Sequence, residues 1–405
     1  MTTTLSSPLE LPCGVVLRNR LVKAAMSEQL ARRDGTPSDR LRRLYAVWAG
    51  SGAAVLITGN AMVSRDALTE PGNVILDDDR ALDAVRSWSA AAQQGGAQVW
   101  MQVNHPGKVA VTPFDRRPVA PTARRSAVPG YNIRKPRELT PADIADLVQR
   151  FARTAELAVA GGFDGVQVHA AHGYLLSQFL SPLHNRRDDA WGGDAERRRR
   201  LLLDVVGAVR ARVGDGVPVS VKLNSRDFVH GGFEEGEALD VALALADAGV
   251  DLLEVSGGGY EQPAMTGVAR GQDRAEEGYF TGFAAAVSAR TTMPVLLTGG
   301  LRSPQRMAEL LASGAIDAVG LGRPMAFVPD YPRRLLAGEQ PALPPAPRRC
   351  GVRALDGFVG LAMSYGQIHR IAAGRTPERR PGALTVARSG ARIARGALQQ
   401  VTVPD

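Results

Sequence analysis

The stretch TPADIADLVQRFARTAELAVAGGFDGVQVHA, residues 140–170, changes its period partway along. Its first part predicts a helix: Thr140 is a natural N-cap, Pro141 fits the first helical position, Asp143 stands in the first turn, and Gly161-Gly162 ends the run. The GVQVHA that follows, residues 165–170, is a short run with almost no polar interruption. Such a run reads as a strand buried on both faces, the kind found in a parallel sheet covered by helices.

The same alternation repeats along the chain. Seven further runs fit the pattern: LVKAAM (21–26), AVLITGN (54–60), QVWMQVN (98–104), PVSVKLN (218–224), LLEVSGG (252–258), PVLLTGG (294–300) and AVGLGRP (318–324). Eight buried strands alternating with helices predict a (β/α)8 TIM barrel, a closed α/β fold of about 250 residues to which insertions can be added. The helix from Thr140 would cover the barrel between strands three and four. Beyond residue 338 the pattern changes to GEQPALPPAPRRCG and an Arg-rich tail. The expected organisation is therefore a barrel over 1–340 and a C-terminal helical extension over 341–405. The Pro- and Arg-rich segment from His105 to Glu138 is long for a strand-to-helix connection and reads as a functional loop.

Composition narrows the function. The chain is 44% hydrophobic and 22% charged, as a globular protein with a sizeable core is. It has no apolar run of about 18 residues and no signal-peptide layout at its start, so a cytoplasmic enzyme without a membrane partner is expected. The net charge is +8, but 45 of the 49 basic residues are Arg spread along the chain, which does not predict nucleic-acid binding. Two cysteines, Cys13 and Cys350, are too few for a four-cysteine iron–sulfur cluster, a structural zinc site or a disulfide framework.

In a barrel of this kind the chemistry sits where the strands end. Gly299 and Gly300 after strand seven, with Gly322 and Arg323 after strand eight, have the character of the phosphate site that barrels build from their last two loops: glycines admit close backbone approach and Arg forks onto phosphate oxygens. Lys222 is one of only four lysines and lies inside a strand, where an anionic partner, a Schiff-base role or an electron-rich cofactor would justify it. His169 and His172 stand three residues apart just past strand four, without the third ligand or the H-E-x-x-H pattern of a zinc enzyme, so no metal is expected. Two imidazoles converging on one oxygen would polarise it, and Tyr174 could supply a proton.

These residues resemble the Old Yellow Enzyme family, the FMN-dependent NAD(P)H:flavin oxidoreductases. The likeness runs from about Leu11 to about Leu336 and rests on LRNRLVKAAMS, WMQVNHPGK, HAAHGYLLSQFLSPLHNRRDDAWGGDAERR, VKLNSRDF and TGGLRSP with GLGRP. It implies that Ala24, Ala25, Met26 and Ser27 lie along the flavin, with Gly59 and Gln102 against its ring. It also implies that Lys222 holds positive charge near one end of the ring and that Gly299, Gly300, Gly322 and Arg323 hold the phosphate. His169, which also adjoins the flavin, and His172 would bind the oxygen of an activated alkene that Tyr174 protonates after hydride arrives from NAD(P)H by way of the flavin. The family often has Pro at the position of Ala25, Thr or Cys at Ser27, and Arg at Lys222. Members with an iron–sulfur cluster carry cysteines that this chain lacks, so a cluster-free ene-reductase is implied. In some relatives a C-terminal arm reaches a neighbouring subunit, which would make this chain a homo-oligomer. Two other readings remain: an aldolase using Lys222 as a Schiff base, and a flavin-binding subunit whose chemistry belongs to a partner.

Overall fold

The eight runs form eight strands. In a computed structural model that describes residues 2–110, 118–125, 135–259, 277–343, 345, 353–382 and 384–391, they are β1 (Leu21–Lys23), β2 (Val55–Met62), β3 (Gln98–Asn104), β4 (Gly165–Ala170), β5 (Val219–Asn224), β6 (Leu252–Ser256), β7 (Val295–Thr298) and β8 (Ala318–Leu321). Each pairs in parallel with the next, and β8 pairs with β1 to close the ring. The fold is a (β/α)8 barrel. Its main helices are α1 (Asp39–Ala49), α2 (Leu82–Gln93), α3 (Pro141–Ala160), α4 (Leu175–Leu180), α5 (Ala195–Val213), α6 (Glu235–Asp247), α7 (Thr281–Ser288), α8 (Pro304–Ala312), α9 (Arg323–Phe327), α10 (Tyr331–Leu336) and α11 (Arg353–Ala372).

Helix α3 begins as its sequence predicts. Thr140 accepts from the Asp143 amide while the Asp143 carboxylate accepts from the Thr140 amide, a reciprocal cap that satisfies two otherwise orphaned donors. The helix packs on β3 and β4.

The barrel interior is graded along its axis, because alternate residues of each strand point inward. At the N-terminal end the inward layer is apolar: Val22, Ile57, Trp100, Leu252, Leu296 and Ala318 pack against Leu9, Leu11 and Leu17 of a hairpin that plugs the bottom. One step further along the strands the inward layer turns polar, with Gln102, Gln167, Lys222 and Glu254. The second core, between strands and helices, is mainly apolar, and it holds Lys23, whose buried ammonium donates to the Ile57 carbonyl at 2.7 Å and lies 4.5 Å from the centre of a Trp48 ring. Burial lowers the Lys23 pKa to about 8, against the pull of Glu28.

Helix α11 belongs to this assembly. It packs on α1 and α9, and α1 grips its C-terminal turn through Arg40 and Arg43, which donate to the carbonyls of His369 and Ala372. The tail beyond residue 391 lies outside the described residues, as do 111–117 and 126–134 of the long loop after β3. No helix among the described residues is long and apolar enough to cross a membrane.

Candidate active site

The polar layer continues upward into a cavity at the C-terminal ends of the strands. Of the residues picked from sequence, Ala24, Ala25, Met26 and Ser27 line one side, Gln102 and Lys222 the floor, and His169, His172 and Tyr174 another side. Gly299, Gly322 and Arg323 complete the rim.

Gly59 and Gly300 are not among the walls. The β2–β3 register shifts between Ile57 and Asn60, and Gly59 at this bulge lies against Glu28: a Cβ there would collide with a carboxylate oxygen, while the Gly59 amide donates to that carboxylate at 2.9 Å. Gly300 has φ +74° and is covered by the Tyr279 ring, which a Cβ would approach to 2.9 Å.

The floor is one hydrogen-bonded chain across four adjacent strands. Gln102 donates to Gln167 at 2.7 Å, Gln167 donates to Glu254 at 2.8 Å, and Lys222 donates to the other Glu254 oxygen at 2.8 Å. The strand register requires it, since Gln102 stands opposite Gln167 and Lys222 opposite Glu254. The Lys222–Glu254 pair is almost fully buried. The Lys222 side chain is thus directed onto a carboxylate partner. Glu254 was not singled out from sequence, although a lone carboxylate within LLEVS carried the same signal as Lys222.

The two imidazoles sit 5.1 Å apart, edge to face, and the Tyr174 ring lies 4.8 Å from His169. His169 Nδ1 accepts from the Ala171 amide at 3.2 Å, which leaves Nε2 as its donor. His172 Nε2 lies 2.8 Å from Ser256 Oγ, so it meets a further ligand through Nδ1. His172 has φ +62°, a left-handed conformation that costs free energy for a residue with a side chain and is held by its amide's bond to Asn224. Burial holds both pKa values well below the usual histidine value, with His172 and Lys222 adding to the effect at His169 and Lys222 at His172. Both rings are therefore neutral, and any polarisation they exert comes from N–H dipoles.

The walls suit a large, polar, partly anionic group such as FMN. Desolvation lowers the Arg323 pKa, Tyr279 opposes this and Arg302 adds to it, and the half-buried Arg323 has no ion pair among the described residues, so it is open to an anion. Asn60 Oδ1 and Thr298 Oγ1, both on residues of the cavity wall, are buried without hydrogen-bond partners among the described residues. Gly299 has φ +130°, a conformation open to glycine. Arg323 and Gly299 would hold the phosphate, Gln102 and Lys222 the ring.

The fourth side is α11. Leu361, Ser364, Tyr365 and Ile368 line the cavity opposite the barrel mouth. Sequence pattern did not reveal this, because nothing in α11 carries a motif. Glu70 and Phe280 are also wall residues that the sequence left unmarked.

The sequence profile of the NADH:flavin oxidoreductase / NADH oxidase family matches residues 4–340. A protein from Hypocrea jecorina (strain QM6a), NADH-dependent flavin oxidoreductase iliE, is 36% identical over 82% of this chain and 88% of its own length. The protein of the same name from Neonectria sp. (strain DH2) is 36% identical over 87% of this chain, which spans only 49% of that longer relative. Among solved structures, the Old Yellow Enzyme homologue from Zymomonas mobilis superposes with a TM-score of 0.71 at 26% identity, over 83% of this chain and 93% of that one.

Proposed function

The chain belongs to the NADH:flavin oxidoreductase / NADH oxidase family, with FMN as cofactor and NAD(P)H as reductant, and from that premise we propose that it reduces the C=C bond of an activated alkene, such as an α,β-unsaturated carbonyl compound. The observation that carries the reading is the pair of neutral imidazoles, His169 and His172, at the mouth of a cavity with Arg323 on its rim, a cation that has no ion pair among the described residues.

FMN bound there would supply a two-electron carrier, loaded by NAD(P)H and discharged to the second substrate. The chain's own residues do the rest. His169 Nε2–H and His172 Nδ1–H bind the carbonyl oxygen of the alkene and draw electron density from its β-carbon. Ser256 fixes the ring orientation of His172, and Asn224 holds its strained backbone. The Tyr174 phenol delivers a proton to the α-carbon of the alkene. Glu254 balances the charge of Lys222, and Gln102 and Gln167 hold that carboxylate in place. Helix α11 and Phe280 narrow the space in which the substrate is oriented.

The test is the visible spectrum of the purified chain. A flavin band that bleaches with NAD(P)H in the absence of oxygen, and returns on adding cyclohexenone, supports the reading. A protein that takes up no FMN overturns it.

A further inference from the structure

Strand β1 makes its last pairing with β2 at Lys23, opposite Leu56, whereas β2 runs on to Met62. The backbone of β2 past that point needs other partners, because a buried amide or carbonyl is costly to leave unmatched. Two side chains, one at each end of the segment that leaves the barrel, supply them. Lys23 Nζ donates to the Ile57 carbonyl at 2.7 Å and to the Ala24 carbonyl at 3.2 Å. Glu28 Oε1 accepts from the Gly59 amide at 2.9 Å. The register shift of β2 against β3 falls at the same place.

Solvent cannot replace either anchor: Lys23 is fully buried and Glu28 is 7% exposed. Both are held from outside the barrel. The Tyr45 hydroxyl of α1 donates to the same Glu28 oxygen, and His369 Nε2 of α11 donates to the Glu28 carbonyl at 2.9 Å. A Cβ on Gly59 would collide with the Glu28 carboxylate and with the Met26 carbonyl, so β2 lies flush against the segment that the anchors bracket. Neither Lys23 nor Glu28 lines the cavity, but the backbone they hold does: Ala24 to Ser27 lie between them, and Asn60 follows the bulge.

We propose that Lys23 and Glu28 are a pair of positioning residues that stand in for the missing end of β1 and so fix the wall against which the flavin ring lies. Their effect on the occupant passes through backbone, since neither side chain reaches it. Their charges act as a unit. Burial opposes both, raising the Glu28 pKa and lowering that of Lys23 to about 8, and each charge supports the other; Glu254 and Lys222 also act on Lys23, in opposite senses. Removing one charge leaves its counterpart buried and uncompensated, whereas removing both does not.

The inference rests on the FMN reading, and the experiment separates the two. The Kd for FMN, the visible circular dichroism of bound FMN and the urea midpoint are measured on the full chain for the wild type, Lys23→Met, Glu28→Gln, the double variant Lys23→Met/Glu28→Gln, and Thr140→Ala, a change at a remote helix cap. Each single change at the pair raises the Kd about tenfold and alters the dichroism, which reports how the ring is held. The double variant raises the Kd no more than the larger single effect. Thr140→Ala lowers the urea midpoint and leaves the Kd and the dichroism as in wild type. Lys23→Met and Glu28→Gln proteins that bind FMN with the wild-type Kd and dichroism overturn the inference and leave the function standing, even where their urea midpoints fall. Effects on the Kd that multiply in the double variant overturn the pairing. Where Lys23→Met does not fold, Glu28→Gln, which keeps the size of the side chain and an acceptor for Gly59, decides by the same criterion. A wild-type chain that binds no FMN overturns the function itself.

Discussion

Neutral histidines bind an oxygen by hydrogen bonds alone, and this fixes how the two rings must behave in solution. Their pKa values are depressed, so neither takes up a proton as pH falls from 8 to 6. The KM for an enone is accordingly flat across that range in steady-state assays; a rise centred near pH 6.5 that the histidine variants lack would contradict the assignment. His169→Ala combined with His172→Ala keeps FMN bound but cuts enone turnover by two orders of magnitude or more, as loss of donors to a developing oxyanion does elsewhere. Unchanged turnover would refute the pair as polariser. His169, His172, Tyr174 and Lys222 were legible because polar residues at the end of an apolar run have few uses in a core. Glu254 and Gln167 were not, because their value lies in the packing of the strands, which brings Glu254 onto Lys222 across 32 positions and Gln167 onto Glu254 across 87. Glu70 was hidden for a different reason: it sits in a loop, and loop geometry has no period.

Helix α3 shows how far local chemistry carries an element. Thr140→Ala removes one half of the reciprocal cap and lowers unfolding free energy by about 1 kcal/mol, read as a shift in the urea midpoint at constant slope. The strand starts were nearly as legible, since buried runs declare themselves by composition. Their ends were less so. The LVKAAM run continues in sequence to Met26, but β1 stops at Lys23, and the next four residues leave the barrel to line the cavity. The second run ends at Asn60 by pattern, while β2 continues to Met62 because the bulge near Gly59 resets its register against β3. The bulge, where the Gly59 amide meets Glu28, leaves no trace in hydrophobic pattern.

For the molecule as a whole, the question is what α11 is to the barrel. Ile368 is 1% exposed, and its helix is tied to the barrel's first helix, to the Glu28 carbonyl through His369, and to Glu70 through Tyr365. Ile368→Ala should therefore cost roughly 2–5 kcal/mol and move the midpoint of a single cooperative unfolding transition. Two separate transitions, with only the smaller one moved, would mean that α11 folds apart from the barrel. The sequence signalled a change of character near residue 338 but could not show that the chain returns to the cavity, because packing between distant segments has no local signature. The closed ring adds a matter of timing. Because β8 seals against β1 and α11 supplies the last wall, a growing chain has neither a shut barrel nor a complete cavity until the segments from 318 to 372 have been made. The most distant pairings are made last and at the greatest entropic cost. Capture of the cofactor is then a late event in the life of each molecule, one that follows synthesis of the barrel instead of guiding it.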